Sequence, residues 1–360
     1  MELADLVALS RLTASRRRLV EAARLADAID GSLDTALEAL GAREDGPALR
    51  RHADAALSEA ARSGLRPLAW DSPEFPVLLA AIGDPPLLLW VRGDARSLLH
   101  PAVAVVGSRA ASQPAREIAR ELSAGLARAG LTVVSGLARG CDGAAHQGAL
   151  DAGGRTVAVL GCGVDIVYPA EHDRLAAAVT ASGCLISEFP PGTPPLPHHF
   201  PQRNRIIAGL SRAVVVVEAH ERSGSLITAA CALEQNREVM VVPGPVRSGR
   251  NRGAHALLRD GAALVESAAD VIAELQWGTH PVPVSGGPAR AESVTGAGEP
   301  HDPLLAALDP DDGQDLDELQ ALTGLDLSEL TRRLSELELA GCATRQAGGR
   351  FVRSSGKVIT

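Results

Sequence analysis

The sequence is poor in several features that mark common protein classes. Aromatic side chains make up 2% of its 360 residues, and Lys357 is the one lysine among 35 lysines and arginines. No uninterrupted apolar run is long enough to cross a bilayer. The first residues, MELADLVALSRL, lack the basic start and the apolar block of a signal peptide. We therefore expect a cytoplasmic protein that does not act at a membrane.

Paired cysteines and common nucleotide-binding loops are also missing. The five cysteines contain no C-x-x-C pair, which argues against a disulfide framework and a zinc site. His198 and His199 have no Cys or acidic partner at metal-ligand spacing. No G-x-x-x-x-G-K-[ST] occurs, the loop GSRAAS lacks the G-x-G-x-x-G spacing, and no Ser-His-Asp arrangement can be assigned. We predict no metal, no cofactor and no catalytic residues.

Four segments follow one another along the chain. Residues 1–65 have apolar residues at helical spacing and are predicted to form a helical domain. Residues 66–277 form the core, in which 66–100 are proline-rich and are expected to be an irregular extension. Residues 278–302 are rich in Gly, Pro and Ser and are expected to be a flexible linker. Residues 303–360 have the pattern of three short helices and a hairpin, which is typical of a winged helix.

The core has the pattern of an α/β fold with a parallel sheet. PAVAVVGS, LTVVSG, RTVAVLGCG, CLISEF, AVVVVEA and EVMVVPG are short apolar runs separated by helical stretches. Continuous apolar strands that alternate with helices are typical of a sheet covered on both faces. Ligands of such sheets bind at the carboxyl ends of the strands, where the strand order reverses.

Small and basic residues follow several of these strands. Glycine lets a backbone approach a ligand closely, and the first amides of a helix attract anions. The candidates are Gly107, Ser108 and Arg109 after the first strand, Gly136, Arg139 and Gly140 after the second, and Ser223, Gly224 and Ser225, which are placed to cap the helix LITAACALEQ.

The stretch HHFPQRNRIIAGLS places Arg203, Asn204 and Arg205 in front of an apolar helix face. If Pro201 begins this helix, the arginines lie in its first turn, where positive charge is unfavourable without a nearby anion. Residues two apart on a helix point about 200° apart, so both arginines face one ligand only in an irregular turn, unless one pairs with a carboxylate such as Glu188. The chain has a formal charge of −9, but residues 195–260 have nine arginines against five Asp and Glu, a local charge of +4.

Several long strings resemble the DprA/Smf family (DNA processing protein A). They are VAVVGSRAAS, VVSGLARGCDGAAHQGAL, VAVLGCGVDIVYPAEHDRL, LISEFPPGTPPLPHHFPQRNRIIAGLS and ERSGSLITAACALEQNREVMVVPG, and together they cover roughly residues 66–275. The resemblance implies an extended Rossmann-like core with an N-terminal helical domain of the SAM or helix-hairpin-helix kind and a C-terminal winged helix.

The function that the resemblance implies is that of a non-enzymatic recombination mediator. Such a protein binds single-stranded DNA, protects incoming DNA during natural transformation, loads RecA onto it and acts as a homodimer through the core. By motif, the DNA-contacting set carries over to Arg109, to Arg203, Asn204 and Arg205, and to Ser223, Gly224 and Ser225, with Gly136, Arg139 and Gly140 as adjacent candidates.

Two features depart from the family pattern. The first 65 residues lack a Gly-x-Gly hairpin, so hairpin-type DNA binding is not expected there. Residues 303–360 contain six basic and ten acidic residues, a charge of −4, and the candidate recognition helix LDLSELTRRLSELELAG shares this acidity. A protein-contact role suits it better than reading a major groove.

Two other functions stay open. The same Rossmann variant resembles nucleotide phosphoribohydrolases of the LOG type, but the corresponding loop here, RSGSLITAACALE, has its only carboxylate at Glu234, ten residues beyond Gly224. A winged-helix regulator of duplex DNA, with the core as a ligand sensor, is the other alternative, and the acidic recognition helix disfavours it.

Overall fold

The structure is a computed structural model of the whole chain, and it describes residues 1–12, 16–42, 45–277, 304, 308, 316–323, 325, 330, 333–334, 337, 343–345 and 351–353. The chain forms two compact units, residues 1–282 and residues 283–360. The expected linker at 278–302 lies outside the described residues. No described helix is long and apolar enough to cross a membrane.

The first unit is built on a sheet of nine strands. The strands are β1 (Arg66–Ala69), β2 (Leu88–Gly93), β3 (Ala102–Val106), β4 (Thr132–Ser135), β5 (Thr156–Val159), β6 (Cys184–Ser187), β7 (Ala213–Val216), β8 (Glu238–Val241) and β9 (Ala263–Leu264). Their order is β1-β2-β6-β5-β4-β3-β7-β8-β9. From β6 to β9 every pair is parallel, whereas β1 and β2 form an antiparallel edge. The predicted α/β fold with a Rossmann-like parallel core is therefore confirmed.

Helices cover both faces of this sheet. They are α1 (Leu3–Ser10), α2 (Arg16–Ile29), α3 (Leu33–Leu40), α4 (Gly46–Arg62), α5 (Val77–Ala80), α6 (Gln113–Arg128), α7 (Cys141–Asp151), α8 (Asp173–Ser182), α9 (His199–Gly209), α10 (Gly224–Glu234), α11 (Arg252–Arg259) and α12 (Ala268–Glu274). Val103 and Val105 of β3 pack with α6 and α7, while Ala104 and Val106 pack with α9 and α10. This alternation explains why the strands are continuously apolar.

The expected irregular extension at 66–100 contains two strands. Leu89 and Val91 of β2 pack into the main core, whereas Leu88 and Trp90 point the other way and pack with the N-terminal helices. Antiparallel strands of four and six residues that contain or follow prolines give a weak signal in sequence, because proline is usually confined to strand edges and ends.

The N-terminal helices begin at residues that cap them. The Ser32 side chain accepts a hydrogen bond from the Thr35 amide at the start of α3, and Asp45 accepts one from the Ala48 amide at the start of α4. Buried leucines and alanines of α1 to α4 form one cluster with β2. The predicted helical N-terminus is therefore confirmed and shares its core with the sheet edge.

The second unit contains the elements expected of a winged helix. A helix spans Leu316–Thr323, and Ala343–Arg345 pairs in antiparallel register with Phe351–Arg353. Its core contains Leu319, Leu330, Leu334 and Phe351. Most of the candidate recognition helix lies outside the described residues.

Candidate nucleic-acid interface

A cavity of about 530 Å³ lies at the carboxyl end of β3 and β7. These neighbours mark the switch point of the sheet, because β4 follows β3 on one side and β8 follows β7 on the other. We call this cavity the pocket. The loops after β3 and β7, the start of α9 and the start of α10 line it. Its position is the one that an open α/β sheet favours for ligands.

The loop after β3 supplies one wall of the pocket. The Ser108 amide donates to the Glu218 carbonyl at 2.7 Å, which attaches this loop to the end of β7. Gly107 is required by packing, since a Cβ there would lie 2.5 Å from the Cys141 sulfur. Arg109 follows with an exposed side chain, and its guanidinium carbon lies 5.1 Å from the centre of the Phe200 ring. Arg109 therefore places positive charge at the pocket wall without burying it.

Arg203 also lines the pocket but is 4% exposed. Its Nη1 donates to the Gly136 carbonyl at 2.8 Å and to the Val159 carbonyl, so it ties the ends of β4 and β5 together. Burial lowers the pKa of Arg203 to about 10, and the nearby Asp142 carboxylate opposes this shift. The guanidinium stays protonated at neutral pH. Its hydrogen bonds hold the ends of β4 and β5 together.

The Asp142 carboxylate is the buried partner of Arg203. Its Oδ2 accepts hydrogen bonds from the Gly136 amide at 3.1 Å and the Ala138 amide at 3.4 Å. Burial raises the pKa of Asp142, while Arg203 and the two amides act to lower it. A side chain at Gly136 would collide with both partners, because a Cβ there lies 2.6 Å from Arg203 Nη1 and 2.7 Å from Asp142 Oδ2. Gly136 thus supports the site by leaving room for this buried pair.

The third wall is the first turn of α10. The Ser223 hydroxyl accepts a hydrogen bond from the Ser225 amide at 3.4 Å and lies 2.7 Å from the Ser225 hydroxyl. The Asn204 amide nitrogen donates to the Gly224 carbonyl at 3.2 Å and joins this turn to α9. Gly224 is exposed, and a Cβ there would meet nothing within 4 Å. The positive end of the α10 dipole therefore faces an accessible part of the pocket.

The two remaining arginines of the predicted set are held by carboxylates. Arg205 Nη2 donates to Glu188 at 2.7 Å and its Nε to Asp84 at 3.1 Å. Burial acts to lower the pKa of Arg205, but Glu188 and Asp84 outweigh it and the net shift is upward. Arg139 forms a two-bond pair with Glu171 at 2.6 and 2.7 Å, with both side chains more than half exposed. Glu188 is the carboxylate that the sequence suggested as a partner.

Gly140 lies against the loop after β3 rather than in the pocket. Its φ of 75° is in the region that favours glycine, and a Cβ would lie 2.8 Å from the Arg109 carbonyl and closer still to that of Ser108. Gly140 therefore positions the backbone that carries Arg109.

The expected start of α9 differs from the structure. The helix begins at His199 and not at Pro201, so Arg203 is its fifth residue and lies beyond the first turn. The prediction that Arg203 lies in the first turn, at the positive end of the helix dipole, was therefore wrong. Its burial between two strand ends explains the arginine instead.

Aromatic and basic residues outside the predicted set also line the pocket. Phe200 lies beneath Arg109 and 5.6 Å from the ring of Tyr168, and Arg222 lines the pocket from the loop after β7. The sequence feature that could have pointed to these rings is their rarity, because the chain has one tyrosine and four phenylalanines. Arg222 directly precedes the Ser-Gly-Ser cap, a position that the motif search left out.

The cysteines near the pocket are poor nucleophiles. Burial raises the pKa of the Cys141 thiol to about 12 and that of Cys162 to about 11. Both thiols are therefore protonated at neutral pH, and a protonated thiol reacts slowly. Among the described residues, no group of three or more His, Cys, Asp or Glu side chains is arranged to hold a metal ion.

Comparison with known proteins agrees with this architecture. The family described as DNA recombination-mediator protein A matches residues 66–276, and the DprA winged helix domain matches residues 288–349. Protein Smf of Escherichia coli (strain K12) is 42% identical over 285 residues, which are 79% of this chain and 76% of that protein. DNA processing protein DprA of Streptococcus pneumoniae (strain ATCC BAA-255 / R6) is 46% identical over 203 residues, 56% of this chain and 72% of that protein.

Two solved structures share the fold. The X-ray structure of DprA from Streptococcus pneumoniae superposes with a TM-score of 0.69 at 37% identity and covers 76% of this chain and 99% of that chain. DprA of Helicobacter pylori, whose structure concerns its single-stranded DNA binding mode, superposes with a TM-score of 0.54 at 27% identity over 59% of this chain and 95% of that chain. Because the family model matches residues 66–276 and the 42% identity with Protein Smf extends over 76% of that protein, this chain belongs to the DNA recombination-mediator protein A family.

Proposed function

We propose that this protein binds single-stranded DNA at the pocket and acts as a non-catalytic recombination mediator. The observation that carries the proposal is the meeting of exposed Arg109 and Arg222, the N-terminus of α10 and the Phe200 ring at one cavity. Guanidinium groups and helix amides bind phosphate, and aromatic rings stack on bases of any sequence. The cavity of about 530 Å³ is within the size range of small-molecule sites and suits a ligand of nucleotide size.

In this role the protein protects incoming single-stranded DNA during natural transformation and loads RecA onto it. Support comes from the family membership and from the Helicobacter pylori relative, whose structure concerns single-stranded DNA binding. The protein acts as a homodimer through the core. RecA filament assembly on single-stranded DNA tests the loading step, and light scattering tests the dimer.

Within the predicted set, the proposal gives its members two different tasks. Arg109, Ser223, Gly224 and Ser225 contact the ligand directly, since Arg109 and Gly224 are exposed in the pocket and the two serines belong to the same first turn of α10 as Gly224. The other predicted residues hold the walls in place through the contacts described above. They are Gly107, Ser108, Gly136, Arg139, Gly140, Arg203, Asn204 and Arg205.

A nucleotide hydrolase is less well supported by the pocket. Asp142 is a carboxylate that lines it, and Asp142 is held by two backbone amides beside Arg203. The helix carboxylate of α10, Glu234, does not line the pocket, so the pocket lacks the catalytic acid that the hydrolase loop would supply. Incubation with nucleoside monophosphates, followed by a search for free base, tests this alternative.

Charge reversal at Arg109 is the direct test of DNA binding. Arg109→Glu should abolish binding of an oligothymidine, measured by fluorescence anisotropy, because it places an anion on the phosphate path. The matched control is Arg128→Glu, an exposed arginine at the end of α6 on the opposite sheet edge. In the unaltered protein, log K should fall with log salt by about 0.7 for each phosphate neutralised. Full affinity in Arg109→Glu, or a preference for duplex DNA at matched salt, would contradict the proposal.

A further inference from the structure

A second basic surface lies beside the pocket, on the loop that follows β8. We call residues 243–251 the β8 loop. It contains Arg247 and Arg250, and Arg252 follows at the start of α11. None of these residues lines the pocket. The β8 loop leaves the same edge of the sheet as the loops after β3 and β7, because β7 and β8 are parallel neighbours.

Hydrogen bonds attach the β8 loop to the pocket wall. Arg250 Nη1 donates to the Ala110 carbonyl at 2.9 Å, and Ala110 lines the pocket. Just beyond the loop, the Ala254 amide donates to the Ala219 carbonyl at 3.1 Å, at the end of β7. The surface of the β8 loop is therefore continuous with the pocket entrance.

The base of the β8 loop is fixed by close packing. Asn251 is 3% exposed and occupies the space that a side chain at Gly244 would need, since a Cβ there would lie 2.5 Å from Asn251 Cγ. His255 Nε2 donates to the Gly244 carbonyl at 3.1 Å. The tip, by contrast, is exposed, with Val246 at 76%. A fixed base with an exposed tip presents its charges at a defined place.

The arginines of this surface, together with Arg222 of the adjoining pocket wall, are incompletely neutralised. Arg222 and Arg247 make no side-chain hydrogen bond or ion pair to any residue that the structure describes. Arg250 lies 4.0 Å from Glu218, but this carboxylate already accepts a hydrogen bond from the Ser112 hydroxyl at 2.7 Å. Arg252 lies 3.8 Å from Glu221. Four arginines against two glutamates leave a local charge of +2.

Exposed guanidinium groups next to a nucleotide-sized pocket suit a ligand that is longer than the pocket. Arginine presents donors in a planar fork that matches phosphate oxygens. A polynucleotide carries one such group for every nucleotide, so a strand anchored in the pocket extends its next phosphates onto an adjoining surface.

We propose that the β8 loop is a second DNA contact, in which Arg247 and Arg250 bind phosphates that flank the nucleotide held in the pocket. This proposal rests on the proposed binding of single-stranded DNA at the pocket. It extends the binding site from one nucleotide in the pocket to several phosphates along the loops after β3, β7 and β8. The path runs from Arg109 and Arg222 to the exposed tip of the loop.

The length of the oligonucleotide tests this proposal. Arg247→Glu is the variant of choice, because Arg250 also bonds to the pocket wall. Binding of oligothymidines of about 2 and about 16 nucleotides is compared by anisotropy, since a dinucleotide is held by the pocket and long strands reach the loop. Arg247→Glu should weaken the long strand roughly tenfold and the short strand less than about twofold, and lower the salt slope for the long strand by about 0.7 or more.

The controls separate this proposal from the one on which it rests. Arg128→Glu should match the unaltered protein at both lengths, and a thermal melt should show that each variant is folded. Unchanged affinity of Arg247→Glu for the long strand, or an equal loss at both lengths, overturns the second contact. If Arg109→Glu binds both strands normally, the pocket itself is refuted, and the proposed function fails with it.

Discussion

At the scale of single residues, buried polar groups connect neighbouring strands of the sheet. The hydrogen bonds around His146 define which of its ring nitrogens carries the proton. Thr156 uses its hydroxyl hydrogen to donate to the Val133 carbonyl at 2.8 Å, so it accepts from His146 Nδ1 at 2.7 Å. The ring is therefore neutral with its proton on Nδ1, and Nε2 is buried without a partner. The position accommodates an uncharged ring and not a cation.

His146 should consequently make the fold sensitive to acid. Burial, with smaller effects of His172 and Arg203, lowers the pKa of His146 from 6.5 to about 3. Below 6.5 the unfolded chain binds a proton that the folded chain does not bind, so this contribution is complete above 6.5 and is lost as the pH falls toward 3. In His146→Leu, the free energy of unfolding should decline less steeply with falling pH, by about 1.4 kcal/mol per pH unit.

Urea unfolding at several pH values between about 6 and about 4 measures this slope. The exposed His52 provides the control, since His52→Gln should have the slope of the unaltered protein. Identical slopes in His146→Leu and the unaltered protein would show that the histidine is protonated in the folded state.

At the scale of elements, the loop after β3 and the start of α7 depend on each other. Gly140 precedes α7 with a φ of 75°, and its missing side chain admits the Arg109 carbonyl. Gly140→Ala should therefore destabilise the fold through backbone strain of about 1 to 2 kcal/mol and through a clash that adds roughly 1 to 3 kcal/mol. It should also weaken DNA binding, because the clash displaces the backbone that carries Arg109.

Gly130 is the matched control for this substitution. Its φ of 83° is likewise positive, but a Cβ there would meet nothing within 4 Å. In denaturant unfolding, the free energy of unfolding of Gly130→Ala should fall only by the amount due to backbone strain. This variant should bind DNA normally. Equal losses in the two variants would mean that the contact with the loop is unimportant.

The elements also show how far sequence alone reaches. The six apolar runs of the core were all confirmed as strands, because valine-rich segments between helices have few alternatives. β1 and β2 were missed, since Pro67 and the short antiparallel register hide them. The sequence also did not predict that Arg203 is buried whereas Arg109 is exposed. Both precede or follow apolar segments, and only the packing of β4 against β5 decides which guanidinium is buried.

At the scale of the whole molecule, charge is distributed unevenly. The chain has a formal charge of −9, while residues 195–260, which carry much of the pocket and the β8 loop, have a charge of +4. Residues 195–260 therefore offer a local attraction for polyanions that the net charge of the chain does not offer. The net charge of the chain does not reveal this surface, whereas the local charge of residues 195–260 and its position at the switch point both do.

The N-terminal helices are part of the stability of the core. Leu88 and Trp90 of β2 are 1% and 0% exposed because α1 to α4 cover them, and the Arg24 guanidinium lies 4.9 Å from the Trp70 ring. Removal of residues 1–65 uncovers this face of the sheet. Each large side chain that returns to water costs about 1.5 to 3 kcal/mol.

A chain that begins at residue 66 should consequently have a lower melting temperature than the full chain and should self-associate through the uncovered face. Calorimetry and light scattering measure the two effects. Replacing Leu88 and Trp90 by serine in the shortened chain should reduce the self-association, since the apolar patch is then interrupted. A shortened chain that is monodisperse and melts with the full chain would show that the helices rest on the sheet without stabilising it.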